Sequence, residues 1–145
     1  MKVKVEENPQ LTEIEVLIKC PIRNDEVEKI IESISINSYT IIGKKDNDNY
    51  ILSLNDIFYF EAVDNHVFAY CEKEIYEVKY KIQELSELLL KTSFLQTART
   101  IILNIRKIKK VTTLVNGRIL AQLNNGEKMI ITRVYAQNFK QKLVE

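Results

Sequence analysis

The side chains able to do chemistry in this sequence gather at three short polar junctions: Asp64-Asn65-His66, Gln96-Thr97-Ala98-Arg99-Thr100 and Thr132-Arg133-Val134. Each stands where an apolar, β-prone run gives way to a turn or a helix. The planar fork of arginine can bridge the O6 and N7 acceptors of guanine in a major groove, and histidine or asparagine can hydrogen-bond base edges or phosphates. Lys107, Lys109 and Lys110 add ammonium groups of the kind that hold a phosphate backbone and position such readers. An ordinary reading of the same residues also stands open: surface arginines beside acidic neighbours, and an exposed loop histidine.

Bond-breaking chemistry finds little support. There is no P-loop, GxGxxG or GxSxG pattern, and with 3 Gly in 145 residues a glycine-rich phosphate cradle is not available. His66 and Cys71, five apart on one strand, point to opposite faces and cannot act as base and nucleophile. The run Asp46-Asn47-Asp48-Asn49 lacks the Gly and Glu of a calcium loop, having Ile51 and Ile57 at those positions, and reads as a hairpin turn. A single His leaves no zinc cluster, and Cys20 and Cys71 suit reduced thiols better than a disulfide framework. No metal, cofactor or enzymatic activity is expected.

Charge is segregated along the chain. Residues 1–98 hold 11 Lys/Arg and 18 Asp/Glu, a net of −7, whereas residues 99–145 hold 10 Lys/Arg against Glu127 and Glu145, a net of +8. A concentrated positive segment is the electrostatic footprint of a polyanion-binding face. It could equally be neutralised by the acidic part folding against it, and charge alone leaves both readings open.

The elements that must position these groups are short. A length of 145 residues fits one compact unit, and no apolar run reaches the roughly 18 to 20 residues of a membrane span, so a cytoplasmic location is expected. Residues 2–5 and 13–19 alternate charged and apolar side chains as strands do. Val27, Ile30, Ile31 and Ile34 then recur at helical spacing behind Asn24 or Asp25 as N-cap. Residues 39–44, 50–54, 57–60, 66–71 and 74–79 read as strands, residues 81–91 as a helix, and residues 100–104, 110–115, 118–123 and 127–132 as a second β series. Asn116-Gly117 and Asn125-Gly126 make the last three a meander, because type I′ turns need positive φ at both central residues. A helix from Tyr135 to Leu143 closes the chain.

Taken in order, residues 39–143 resemble the LytTR family of bacterial DNA-binding regulators. The resemblance rests on Asp56-Ile57-Phe58-Tyr59-Phe60-Glu61, the polar loop from Ala62 to Phe68, the leucine-rich stretch from Ile82 to Leu90, and the block from Phe94 to Asn104 with Ile105-Arg106-Lys107-Ile108 behind it. Asn116 to Ala121, Asn125-Gly126-Glu127, and Ile131 to Tyr135 with Phe139 complete it. It implies an α+β, mainly β fold, an elongated arrangement of small antiparallel sheets with a few helices, whose loop side chains enter successive major grooves of double-stranded DNA. By motif, His66, Arg99 and Arg133 would contact bases, and Thr100, Asn104, Lys107 and Lys109 phosphates. Gln96 and Ala98 stand where many members carry Arg or His, so base preference does not transfer.

The resemblance also implies a dimer on repeated operator sites. Residues 1–38 would form a strand-strand-helix extension ahead of a DNA-binding domain at 39–145. So short an extension leaves no room for a receiver domain, which implies the stand-alone type of regulator, controlled by abundance or by a partner such as a membrane protein. The extension's apolar helix face suggests self-association or partner docking. The competing expectation is a protein-interaction or small-ligand module without DNA contact.

Overall fold

The computed structural model describes residues 1–144. Ten strands and three α-helices follow one another as α1 (Asp25–Ser38), β1 (Thr40–Lys45), β2 (Asp48–Ser53), β3 (Ile57–Val63), β4 (His66–Cys71), β5 (Ile75–Val78), α2 (Ile82–Leu88), β6 (Phe94–Ala98), β7 (Ile101–Asn104), β8 (Ile108–Thr113), β9 (Ile119–Leu123), β10 (Lys128–Ile131) and α3 (Arg133–Val144). The α+β, mainly β class holds. One antiparallel sheet has seven strands in the order β2-β1-β5-β4-β3-β7-β6, and a second has three in the order β10-β9-β8.

Strand β3 explains the layering. Its side chains are buried on both faces, which is why Ile57-Phe58-Tyr59-Phe60 reads as an unbroken apolar run. Ile57, Phe60 and Ile102 face a core closed by Leu85 and Leu89 around α2. Phe58, Tyr59 and Leu103 face a second core, filled by Ile119, Ala121, Leu123 and Ile131 of the smaller sheet and by Ala136 and Phe139 of α3. The large sheet is therefore sandwiched between a short helix and the meander with its terminal helix.

Several elements follow directly from local chemistry. Asn24 caps α1, its side chain accepting from the Val27 N–H at 3.1 Å, with Asp25, Glu26 and Glu28 in the first turn where the helix dipole favours them. Asp46-Asn47 and Asp64-Asn65 each take positive φ at both positions, the geometry that lets a tight turn match the twist of its flanking strands.

Three expectations need correction. The segments 2–5 and 13–19 carry a strand pattern, yet they form no strand and have no ladder partner among the described residues, because alternation supplies two faces but not a neighbouring edge. Residues 94–98, not foreseen as a strand, form β6, where a register shift between Gln96 and Ala98 breaks the alternation that would have announced it. At Asn125-Gly126 only Gly126 takes positive φ, since the Asn125 side chain instead accepts from the Glu127 N–H at 3.0 Å and donates to its carboxylate at 2.9 Å.

Candidate nucleic-acid interface

Four of the foreseen residues are brought to one end of the molecule by backbone hydrogen bonds. The β3–β4 hairpin turns at Asp64-Asn65, so His66 opens β4 opposite Val63. One strand over, the Ala62 N–H donates to the Thr100 carbonyl at 2.9 Å, placing the β6–β7 turn with Arg99 and Thr100 beside that hairpin. The Thr132 N–H in turn donates to the Thr97 carbonyl at 3.0 Å, which ties the start of α3, and hence Arg133, to the same β6 end. His66, Arg99, Thr100 and Arg133 are all exposed.

Arg99 and Arg133 have no ion pair among the described residues, and their guanidinium donors are free for a ligand. His66 is different. Its Nδ1 lies 2.6 Å from the Glu77 carboxylate on β5, an exposed pair that fixes the ring and leaves Nε2 for another partner. The rim is thus mixed in charge: Arg99 and Arg133 stand with Asp64, Glu61 and Glu77 nearby in the hairpin and adjacent strand.

A fourth loop lies at this end, foreseen as the Asn116-Gly117 hairpin turn but without a site role for Arg118. The turn between β8 and β9 takes positive φ at Asn116 (63°) and Gly117 (75°), and a Cβ added at Gly117 would come within 3.2 Å of the Arg133 side chain. Glycine there serves both the turn and this close approach, and Arg118, which follows it in the chain, is exposed.

The foreseen phosphate-contacting set separates. Asn104 is fully buried and cannot reach DNA: its amide donates to the Ile57 carbonyl at 3.0 Å, while its oxygen accepts from the Ser93 hydroxyl at 2.8 Å and the Arg106 N–H at 3.2 Å. A buried amide with this many partners is structural. Lys107 sits at the opposite end of the sheet, its ammonium 5.0 Å from the centre of the Phe58 ring and bordering a cleft shared with Asp56, Cys71 and Glu72. The seven residues of β3 lie between those ends, roughly 20 Å of strand. Arg106 is engaged there too, donating to the Ser33 hydroxyl of α1. Lys109 and Lys110 are exposed on β8, the outer strand of the smaller sheet, with Lys109 at a register shift. The basic third of the chain therefore does not gather on one rim: Arg99 and Arg133 come together there, whereas Arg106 and Lys107 lie at the far end, Lys109 and Lys110 on β8, Lys128 on β10, and Lys140 and Lys142 on α3.

At the Lys107 end, where the Asn124 N–H donates to the Lys107 carbonyl at 2.8 Å, the second core contains a polar contact. The Tyr59 hydroxyl donates to Glu127 at 2.9 Å and its ring stacks on Tyr70 at 4.4 Å. Burial first, then the carboxylate of Glu127, push the Tyr59 phenol well above its ordinary value. Burial and Glu61 push Tyr70 the same way, and burial raises the Cys71 thiol, which argues against a reactive thiolate.

Antiparallel sheets that carry exposed arginines on tight turns, with a basic strand edge leading away from them, describe a β-built nucleic-acid reader. The model of the LytTr DNA-binding domain matches residues 47–144, well over half of the chain, and the chain belongs to that family. Among solved structures, the LytTr DNA-binding domain described for a methyl-accepting/DNA response regulator from Bacillus cereus superposes with a TM-score of 0.68 at 27% identity, covering 72% of this chain and 95% of that one. Relatives similar along their length include an uncharacterized HTH-type transcriptional regulator of Staphylococcus aureus strain MSSA476, 27% identical over 99% of this chain and 98% of its own. A counterpart in strain MRSA252 is 26% identical with the same coverage. Among the described residues no two α-helices are consecutive, so the helix-turn-helix of those names has no counterpart in this fold.

Proposed function

We propose that this protein is a sequence-specific regulator of transcription that reads double-stranded DNA with Arg99, Arg133 and His66, in line with what its S. aureus relatives are named for. Thr100 and Arg118 flank these readers, and Lys109 and Lys110 follow the phosphate backbone along β8. Lys107 contributes through the overall field only. The carrying observation is that two exposed arginines without an ion pair among the described residues, far apart in sequence, are joined at one end by the Thr132–Thr97 and Ala62–Thr100 hydrogen bonds. Rigid strand ends with free forks suit successive major grooves. Residues 39–145 form the reading module, residues 1–38 regulate assembly, and two copies act on a repeated site in the cytoplasm without catalysing a reaction. A regulatory protein partner is compatible with this arrangement.

The experiment is selection of bound duplexes from a random pool, followed by affinity measurements on selected and random duplex over a salt series. Affinity falls linearly in log–log form with salt as counterions are released. Arg99→Ala and Arg133→Ala each cost about 1–3 kcal/mol on the selected duplex and less on random duplex. Equal losses on both would overturn the base-reading role.

A further inference from the structure

The fold leaves a strand without an edge and an edge without a strand. Residues 13–19, Glu13-Ile14-Glu15-Val16-Leu17-Ile18-Lys19, alternate as a strand does, yet join no ladder among the described residues, with Ile14 93% and Val16 57% exposed. At the margin of the large sheet, β2 has β1 on one side and nothing on the other among the described residues. Exposed edges are ordinarily blunted by lysine, proline or a bulge. This one, Asp48-Asn49-Tyr50-Ile51-Leu52-Ser53, has none of these, and its ladder to β1 is regular throughout. Ile51 is 79% exposed and pairs with Ile42 at 62%, so the margin also presents an uncovered apolar patch.

The patterns of the two segments match. On β2, Leu52 is buried in the first core and Tyr50 leans on Tyr76, with ring centres 5.1 Å apart, while Ile51 faces the other side. A strand with Ile14, Val16 and Ile18 on one face would extend the Tyr50–Leu52 surface, and its Leu17 would lie beside Ile51. No charged residue would be placed against the core.

We propose that residues 13–19 of each chain pair with β2 of a second copy, giving a reciprocal arm-exchange dimer with two such junctions. The helix that follows the arm packs at Leu54–Asp56, immediately after β2, so the arm starts out beside the edge it would exchange. In the isolated chain the arm nevertheless takes no place on its own β2, which leaves both halves of the junction for a partner. A reciprocal exchange satisfies both in each chain and closes with two-fold symmetry, leaving no free edge to propagate.

The test uses the full chain and sedimentation velocity without DNA. Val16→Pro removes a ladder donor in the exposed arm, and Ile51→Lys blunts the edge; neither side chain is in a core, and circular dichroism checks that both variants fold. The parent sediments as a dimer at tens of micromolar, and each variant alone loses roughly a hundredfold in dimer affinity. Mixing the two variants restores part of it, because the intact arm of one chain meets the intact edge of the other. A monomeric parent, a variant that dimerises like the parent, or a mixture no better than its components would each overturn the proposal. Loss with Val16→Pro alone would mean arm-to-arm pairing, and loss with Ile51→Lys alone edge-to-edge pairing.

Discussion

The two ends of the large sheet carry similar residue types and put them to different use. Around Asn104, Arg106 and Lys107, each polar group meets a protein partner: a carbonyl and a hydroxyl, the Ser33 hydroxyl, the Phe58 ring. Around Arg99 and Arg133 the backbone is tied down but the guanidinium groups are not. Whether a basic residue in this chain serves the fold or a ligand is decided by what the strand order brings against it, and not by its neighbours in sequence.

The contrast would break most clearly at Asn104. Asn104→Leu strips partners from the Ile57 carbonyl and the Arg106 N–H, and we expect a loss of about 3 kcal/mol in urea unfolding. The folded fraction should keep the parent's preference for selected over random duplex. At the other end, Arg99→Ala and Arg133→Ala should leave the urea midpoint within about 0.5 kcal/mol of the parent's, despite their larger effect on binding. A double mutant whose binding losses add would show two independent contacts.

Tyr59 sharpens the comparison from the core. A neutral phenol whose value is raised by burial contributes stability that is complete below its ordinary value of 10.0 and is lost as the pH climbs through the raised one. Stability should therefore decline from about pH 10 upward. Tyr59→Phe should cost about 1 kcal/mol at pH 7 and flatten that decline, measured as the urea midpoint against pH. Among the lysines, Lys109→Ala should lower the salt slope of DNA binding by about 1, and Lys107→Ala should leave it unchanged while costing about 0.5–1 kcal/mol of stability. The smallest effect belongs to Glu77→Gln. It releases the His66 ring and should change affinity for the selected duplex by less than about 1 kcal/mol.

Much of this was legible in the residues. The Asp-Asn and Asn116-Gly117 turns declare their backbone through side chains that tolerate positive φ, and Phe58 to Phe60 betray a strand buried on both faces. The residues singled out by motif, His66, Arg99 and Arg133, fall on exposed junctions at one end of the structure. What sequence could not supply was partnership. Nothing local distinguishes Asn104, held by a carbonyl, a hydroxyl and a backbone N–H, from an asparagine at a loop tip, and nothing in the alternation of residues 13–19 reports the absence of a ladder neighbour among the described residues. Arg118 was given no role because the passage of Gly117 against the Arg133 side chain is not announced by any motif.

The hydrogen bond from Thr132 to Thr97 joins the two sheets at the point where Arg133 and Arg99 emerge. It works like the rivet of a caliper. On the proposed reading, two bases touched by those arginines would lie at a separation set by the packed cores on both sides of the rivet, and an added base pair between them would not be met without disturbing that packing. Discrimination by spacing would then be inherited from the stiffness of the scaffold, while discrimination by letter could change through single side chains at the jaw tips.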